Sequence, residues 1–556
     1  MASQFEYQST SIVVLLLLLY LAFFTFSGSS KNLPPGPKRL PIIGNLHQKP
    51  AHSRWLQYYN WAKEYGPIMY LNMAGQSIIV LSTNQAAQDL LAKRGAQYAH
   101  RPRLIMAFEL VAKYMHMLWR PYDAGHRLHQ RLEAPLLNIR SANCYRPIHE
   151  LESRQLLFDI WSKYETEGSK GIDPNGNFRR FTISTIYTLL YGYRLKTGYE
   201  REPMEAHFLQ SESSRMTDIG AYLVDWIPGL NYLPTFLAPW KREAAGLWNM
   251  ESALHMGNME KGLKNPGWNF TKHMSGSAEG KTMSTEEVAY DLGILTIAAL
   301  DTSTAALCWL IVAWINHGDR FVGKAQKLLD EVVGRDRLPQ FEDRPRLAYI
   351  DAIVNEIIRW RPIVIGGVPH ATYTEDVYMG YRIPAGSTVL PHHWALTREE
   401  AIYGSDADEF VPERWLEQPT PTPTPTPDDT LKDLPVVAFG YGRRICPGRH
   451  IARNGLFIAV ARLLWAFSVE PGVAVVSSSE GKGEGEGEGE GEGVVHIDDM
   501  DITEGLTTEP KRFRAVFHPR GPWAADILRG CDTHHIDHSE YLDRVGEQRR
   551  LNVERE

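Results

Sequence analysis

The chain has 556 residues, 43 % apolar and 22 % charged, enough to bury one large core or several and incompatible with wholesale disorder or a fibrous repeat. Lys plus Arg number 59 against 66 Asp plus Glu, a net charge of −7, so no overall basic field marks a nucleic-acid binder. The four cysteines, Cys144, Cys308, Cys446 and Cys531, are too few and too scattered for a disulfide framework or a CxxC zinc site, and predict reduced thiols facing the cytosol.

Residues 12–26, IVVLLLLLYLAFFTF, read as a membrane anchor. The run is shorter than the roughly 20 residues needed to span, but residues 9–27 extend it with modest polarity. A cleaved signal peptide is the rival reading; it calls for a positive n-region, and the chain opens MASQFEYQST. Lys31, Lys38 and Arg39 follow the run and keep everything downstream on the cytosolic side. Next comes LPPGPKRLPIIGNL, with prolines at 34, 35, 37 and 41, which predicts a stiff, extended connector.

The apolar stretch 68–82 predicts a hairpin turning near Ala74-Gly75, and helical patterns dominate from about residue 140 to 360. Residues 292–315 are apolar enough to pass for a second span. However, Asp301, Thr302, Ser303 and Thr304 sit at the centre, where a carboxylate in lipid would cost about 3 kcal/mol or more. With Ser284 and Glu287 matching a capping box upstream, the pattern predicts a helix buried in protein with a polar notch halfway. The PTPTPTPTP stretch at 419–427 and the Gly/Glu repeat at 481–493 cannot pack a core and read as tolerated surface insertions.

Residues 439–448, FGYGRRICPG, place Cys446 between Arg444 and Gly448, just before the apolar helical pattern IARNGLFIAVARLLWAF. Helix-start amides and neighbouring arginines stabilise a thiolate, the species that ligates a soft metal centre, and glycines let the backbone approach a flat group. In NEIIRWRP, Glu356 and Arg359 share a helical face and can form an ion pair.

Phe439, Gly442, Arg444, Cys446 and Gly448 reproduce the FxxGxRxCxG signature, so the chain resembles the cytochrome P-450 family of haem-thiolate monooxygenases over about residues 34–521. The resemblance implies a mainly α fold with a small β-rich subdomain, haem b with Cys446 as its axial iron ligand, and thiolate push toward O–O cleavage. It implies a structural triad of Glu356 and Arg359 with Arg414 from FVPERW. It also makes AALDTS (298–303) the oxygen-activating motif, with Asp301 and Thr302 as proton relay and Ala299 where a glycine is usual. The rival reading of Thr302 is a hydroxyl that merely bonds back to the carbonyl one turn earlier.

Arg444 and His370 fall where the family contacts haem propionates. For the helix that normally offers a Trp-Arg pair, aligning on Pro121-Tyr122 gives His126 and Arg127, whereas Trp119-Arg120 is the competing match; HQRL and PLLN downstream favour Arg127. Other agreeing pieces are PPGP, RPR at 101–103 and the stretch 366–399. The chain is most similar to fungal enzymes of secondary metabolism, the class that includes O-methylsterigmatocystin oxidoreductase.

The expected division is then an anchor (1–30), a connector (31–45), a monooxygenase domain (46–521) and a charged tail (522–556). The implied partners are an NADPH-dependent reductase, approached by Arg443, Arg449 and Arg453, with cytochrome b5 as an optional second donor, in the endoplasmic reticulum membrane. The family's pocket-lining stretches (103–118, 297–302, 363–368 and 503–507) are rich in aliphatic and small residues, which implies a largely apolar substrate. Hydroxylation is the expected outcome, with phenol coupling, desaturation or ring rearrangement as alternatives and a haem carrier without turnover as a third reading.

Overall fold

The computed structural model describes residues 32–50, 52–218, 220–416, 437–473 and 497–554. The expected anchor at 12–26 and the stretches 419–427 and 481–493 lie outside the described residues. The chain divides into two units.

The first unit, Met1–Pro102 with Ile365–Glu399 and Gly440–Ile445, carries most of the β structure. Helix α1 (Arg54–Tyr65) buries Trp55 and Tyr58 and ends at Gly66, whose φ of +91° only glycine adopts readily. Strands β1 (Ile68–Met73) and β2 (Gln76–Leu81) form the expected hairpin. Ala74 and Gly75 both take positive φ at the turn, which matches the twist of a two-residue hairpin. The remaining strands are β3 (His370–Ala371), β4 (Asp376–Tyr378), β5 (Tyr381–Ile383) and β6 (Thr388–Pro391). The sheet order is β1-β2-β6-β3, with β2 and β6 parallel, and consecutive residues Ile68–Leu71 and Ile78–Leu81 are buried, so both faces of these strands are covered and their apolar runs do not alternate. The proline-rich connector docks on this sheet: Tyr70 N–H donates to the Pro35 carbonyl at 2.9 Å, and a Cβ at Gly36 would lie 2.2 Å from the Tyr70 oxygen.

The second unit, Arg103–Val364 with Glu400–Phe439 and Cys446–Glu556, is helical. Its main elements are α2 (Ala124–Leu137), α3 (Arg146–Glu167), α4 (Asn175–Tyr191), α5 (Arg201–Met216), α6 (Pro239–Lys264), α7 (Thr285–Leu300), α8 (Thr302–Val332), α9 (Ala348–Trp360) and α10 (Arg449–Ala466). After them come β7 (Phe467–Pro471) paired with β8 (Ala515–Pro519), and then α11 (Pro522–Arg529) and α12 (Ser539–Glu554). Helix α10 is the core's axis, with every residue from Asn454 to Ala466 buried, against Ala305–Trp314 of α8 and the apolar face of α9. Helix α7 starts on the capping box read from sequence, Ser284 with Glu287. Together α7 and α8 are long and apolar enough to cross a membrane, but 61 % of their most apolar window is buried inside the protein.

The charged tail packs into the body. Leu528, Leu542 and Val545 are fully buried, and Arg549 donates to the Tyr145 hydroxyl (2.9 Å) and the Pro135 carbonyl while lying over Trp268. Deleting residues 539–556 should cost about 4 kcal/mol or more, from two buried aliphatic side chains and the surface they cover. Thermal unfolding checks this; an unchanged midpoint would make the packing energetically idle.

A buried polar cluster joins α2 to α7. His129 Nδ1 lies 2.7 and 2.8 Å from the two Asp291 carboxylate oxygens, and burial together with the Asp291 charge pushes the nearby Glu133 well above the carboxylate range. A carboxyl that must stay protonated when folded contributes stability below its unfolded pKa of about 4.3 and loses it as pH rises. Glu133→Gln should therefore flatten the fall in melting temperature from acidic to alkaline pH, and parallel slopes for parent and variant would refute this.

Candidate active site

The cysteine loop is pinned at both ends. Cys446 N–H donates to the Phe439 carbonyl at 2.8 Å, and α10 begins three residues later at Arg449. Around the half-buried sulfur, burial pushes the thiol pKa up, while the amides of Gly448 and Arg449 and the Arg449 guanidinium pull it down. Those donors suit a sulfur that loses its proton to a metal ion. Cys144, Cys308 and Cys531 are buried, and burial pushes each of these thiols up. Gly442 takes φ +54°, and a Cβ there would lie 2.3 Å from the Leu91 carbonyl oxygen, which explains the glycine in the signature.

In the first unit, Arg444 Nε donates to the Ala99 carbonyl at 2.7 Å. Arg101, 2 % exposed, donates to the Pro369 carbonyl, and His370 Nδ1 meets the Tyr98 carbonyl at 2.9 Å. Burial and the charge of Arg444 lower the pKa of Arg101, and burial with Arg101 and Arg444 holds His370 well below the usual imidazole range. Like charges packed this closely under low dielectric suit the binding of carboxylates. Sequence reasoning noted RPR but gave Arg101 no role; its neighbours are set by β3, far along the chain.

In the second unit the polar notch is a break in the helix. Regular geometry stops at Leu300, Asp301 takes φ −112° and ψ −19°, and α8 resumes at Thr302. The break forms although Ala299 stands where a glycine is usual. Ala298 is exposed and residues 297, 299 and 301–303 are half-buried, so an otherwise covered helix opens a small-residue face there. Thr302 Oγ1 donates to the Ala298 carbonyl at 3.1 Å, the back-bond foreseen as the rival reading; its lone pairs are left as acceptors. His207 Nδ1 lies 3.4 Å from an Asp301 oxygen, a neighbour not read from the sequence.

The triad forms around Glu356, a fully buried carboxylate. It accepts from Arg359 Nε and Nη2 (2.8 and 2.7 Å), Arg414 Nε (3.1 Å), Val411 N–H (2.8 Å) and Trp415 Nε1 (2.9 Å). Arg127 stands apart on the exposed face of α2, over the Tyr122 ring at 5.8 Å, while His126 is buried. The competing Arg120 donates to Asp123 and the Tyr114 carbonyl and meets His129 at 3.2 Å. Of the three arginines around the cysteine, Arg443 is exposed, Arg449 donates back to the Cys446 carbonyl, and Arg453 donates to Asn355.

In the second unit a sulfur addressed by two backbone amides suits an iron ligand and a small-residue opening in a helix suits a bound small molecule; in the first a buried cationic cluster suits carboxylates such as haem propionates. These features define the class of haem-thiolate proteins. The sequence profile of cytochrome P450 matches residues 34–486. The chain is 37 % identical to cytochrome P450 monooxygenase aneD of Aspergillus aculeatus, covering 88 % of each chain. It is 34 % identical to cytochrome P450 monooxygenase FrzL of a Cladobotryum species (92 % and 93 % covered) and 35 % identical to peniB of Penicillium patulum (93 % and 91 %). The chain belongs to the cytochrome P450 family and is a monooxygenase of that family.

Proposed function

We propose that this monooxygenase hydroxylates a largely apolar small molecule of fungal secondary metabolism, drawing electrons from NADPH through a reductase. The observation that carries the reading is the Cys446 loop, where the Gly448 and Arg449 amides address the sulfur. When bound, haem supplies dioxygen activation and the bond-making chemistry. Cys446 is its ligand, Arg444 and His370 hold its propionates with Arg101 behind them, and Phe439, Gly442 and Gly448 shape the loop. Arg127, exposed on α2, is the further propionate contact in this reading.

At the notch, Asp301 carries the proton and Thr302 holds its acceptor. Because the Thr302 proton is committed to the Ala298 carbonyl, the hydroxyl oxygen serves as an acceptor that orients a water, and Asp301 resupplies the proton. A haem carrier needs no such pair. The aliphatic and small residues of the stretches 103–118, 297–302, 363–368 and 503–507 support a mainly apolar substrate.

The N-terminal run supports a membrane anchor in the endoplasmic reticulum. Leu223, Ile227, Tyr232, Phe236 and Leu237 are also more than half exposed within one segment, an apolar surface that suits contact with the same membrane. Arg443 is the exposed charge best suited to an acidic reductase face.

The test combines labelled dioxygen with a Thr302 variant. One labelled atom should enter the product of the parent. Thr302→Ala should keep substrate binding, lower product by roughly ten-fold or more and raise peroxide released per NADPH consumed. Product without label would favour coupling or desaturation, and unchanged coupling in Thr302→Ala would remove the relay.

A further inference from the structure

His207 lies on α5, distant in sequence from the notch, yet its imidazole spans the wall beside it. The side chain is 43 % exposed, while Nδ1 is shielded from solvent, makes no hydrogen bond among the described residues and lies 3.4 Å from Asp301 Oδ2. Asp301 itself is only 20 % exposed. A half-exposed pair of this length adds little to stability, so stability does not explain the placement.

The charged groups facing the pair come from two other segments. Glu509 is half-buried and accepts from Asn175 Nδ2 at 2.9 Å; burial and the Asp301 charge push its pKa up, whereas Arg512, Asn175 and His207 pull it down. Arg512 is held in turn by Asp173 at 2.8 Å. Glu509 thus resists ionising beside Asp301, and the imidazole is the side chain there with two ring nitrogens, one able to take a proton while the other gives one.

We propose that His207 is the proton-entry residue of the notch. This rests on the reading of Asp301 and Thr302 as the proton-handling pair. The imidazole takes a proton from solvent at its other ring nitrogen and releases the Nδ1 proton to Asp301 Oδ2. A tautomer reset returns the neutral ring, so each passage moves one proton inward and leaves His207 unchanged. Its role is to position and feed Asp301.

The experiment compares His207→Gln, His207→Ala and Asp301→Asn in the full-length holoprotein. His207→Gln should keep the parent's melting temperature and substrate affinity, lower product per NADPH by roughly three- to ten-fold and raise peroxide. His207→Ala, which leaves no ring nitrogen and no polar side chain, should uncouple at least as far as His207→Gln. A readout independent of turnover is the nitrogen NMR spectrum of the His207 ring, whose Nδ1 signal should move in Asp301→Asn because that nitrogen lies 3.4 Å from the replaced group. Normal coupling in His207→Gln, beside an uncoupled Asp301→Asn, overturns the entry role and leaves the Asp301–Thr302 reading standing. Normal coupling in both overturns the two together. A ring spectrum indifferent to Asp301→Asn also overturns the entry role.

Discussion

Glu356→Ala should yield protein that is largely unfolded or insoluble. Glu356 and Arg359 are both fully buried, and Arg359 is held by the carboxylate on one side and by the carbonyls of Ala407 and Glu409 on the other. Removing the carboxylate leaves a buried guanidinium without its counter-charge and takes the acceptor from the Val411 amide, Arg414 Nε and Trp415 Nε1. Breaking a buried pair in this way costs about 3–5 kcal/mol, a large share of the roughly 5–15 kcal/mol that keeps a folded domain intact. Glu356→Gln, which keeps the acceptor oxygen and loses the charge, should fall between variant and parent. Soluble yield and thermal unfolding measured on the protein itself decide the matter, and a Glu356→Ala variant with the parent's midpoint would show that the triad does not hold the fold.

Local chemistry was legible in the sequence wherever the partners are near neighbours. The Ala74-Gly75 hairpin, the Ser284 capping box, the i,i+3 pairing of Glu356 with Arg359 and the polar notch at Asp301 all follow from spacing alone. What escaped depends on contacts between distant segments. The tail reads as charged because Leu542 and Val545 are sparse among polar residues, and the surface that buries them, around Tyr145 and Trp268, is assembled from other helices. Arg101 and His207 acquire meaning only from β3 and from Asp301. Ala299 stands where a glycine is usual, and regular helix geometry still stops at Leu300 and resumes at Thr302.

The most direct test of the central claim is the carbon monoxide difference spectrum of the reduced protein, in parent and in Cys446→Ala. Thiolate donation shifts that band strongly to the red, and a neutral ligand does not. Cys446 is the cysteine whose sulfur receives helix-start amides, so its removal should abolish the red-shifted band outright. The melting temperature should fall only modestly, because the side chain lost is small and half-buried. Cys308→Ala, which alters a fully buried thiol in the core, serves as the control and should keep the band. The account predicts a red-shifted band in the parent and in Cys308→Ala and none in Cys446→Ala; a red-shifted band that survives in Cys446→Ala would contradict it.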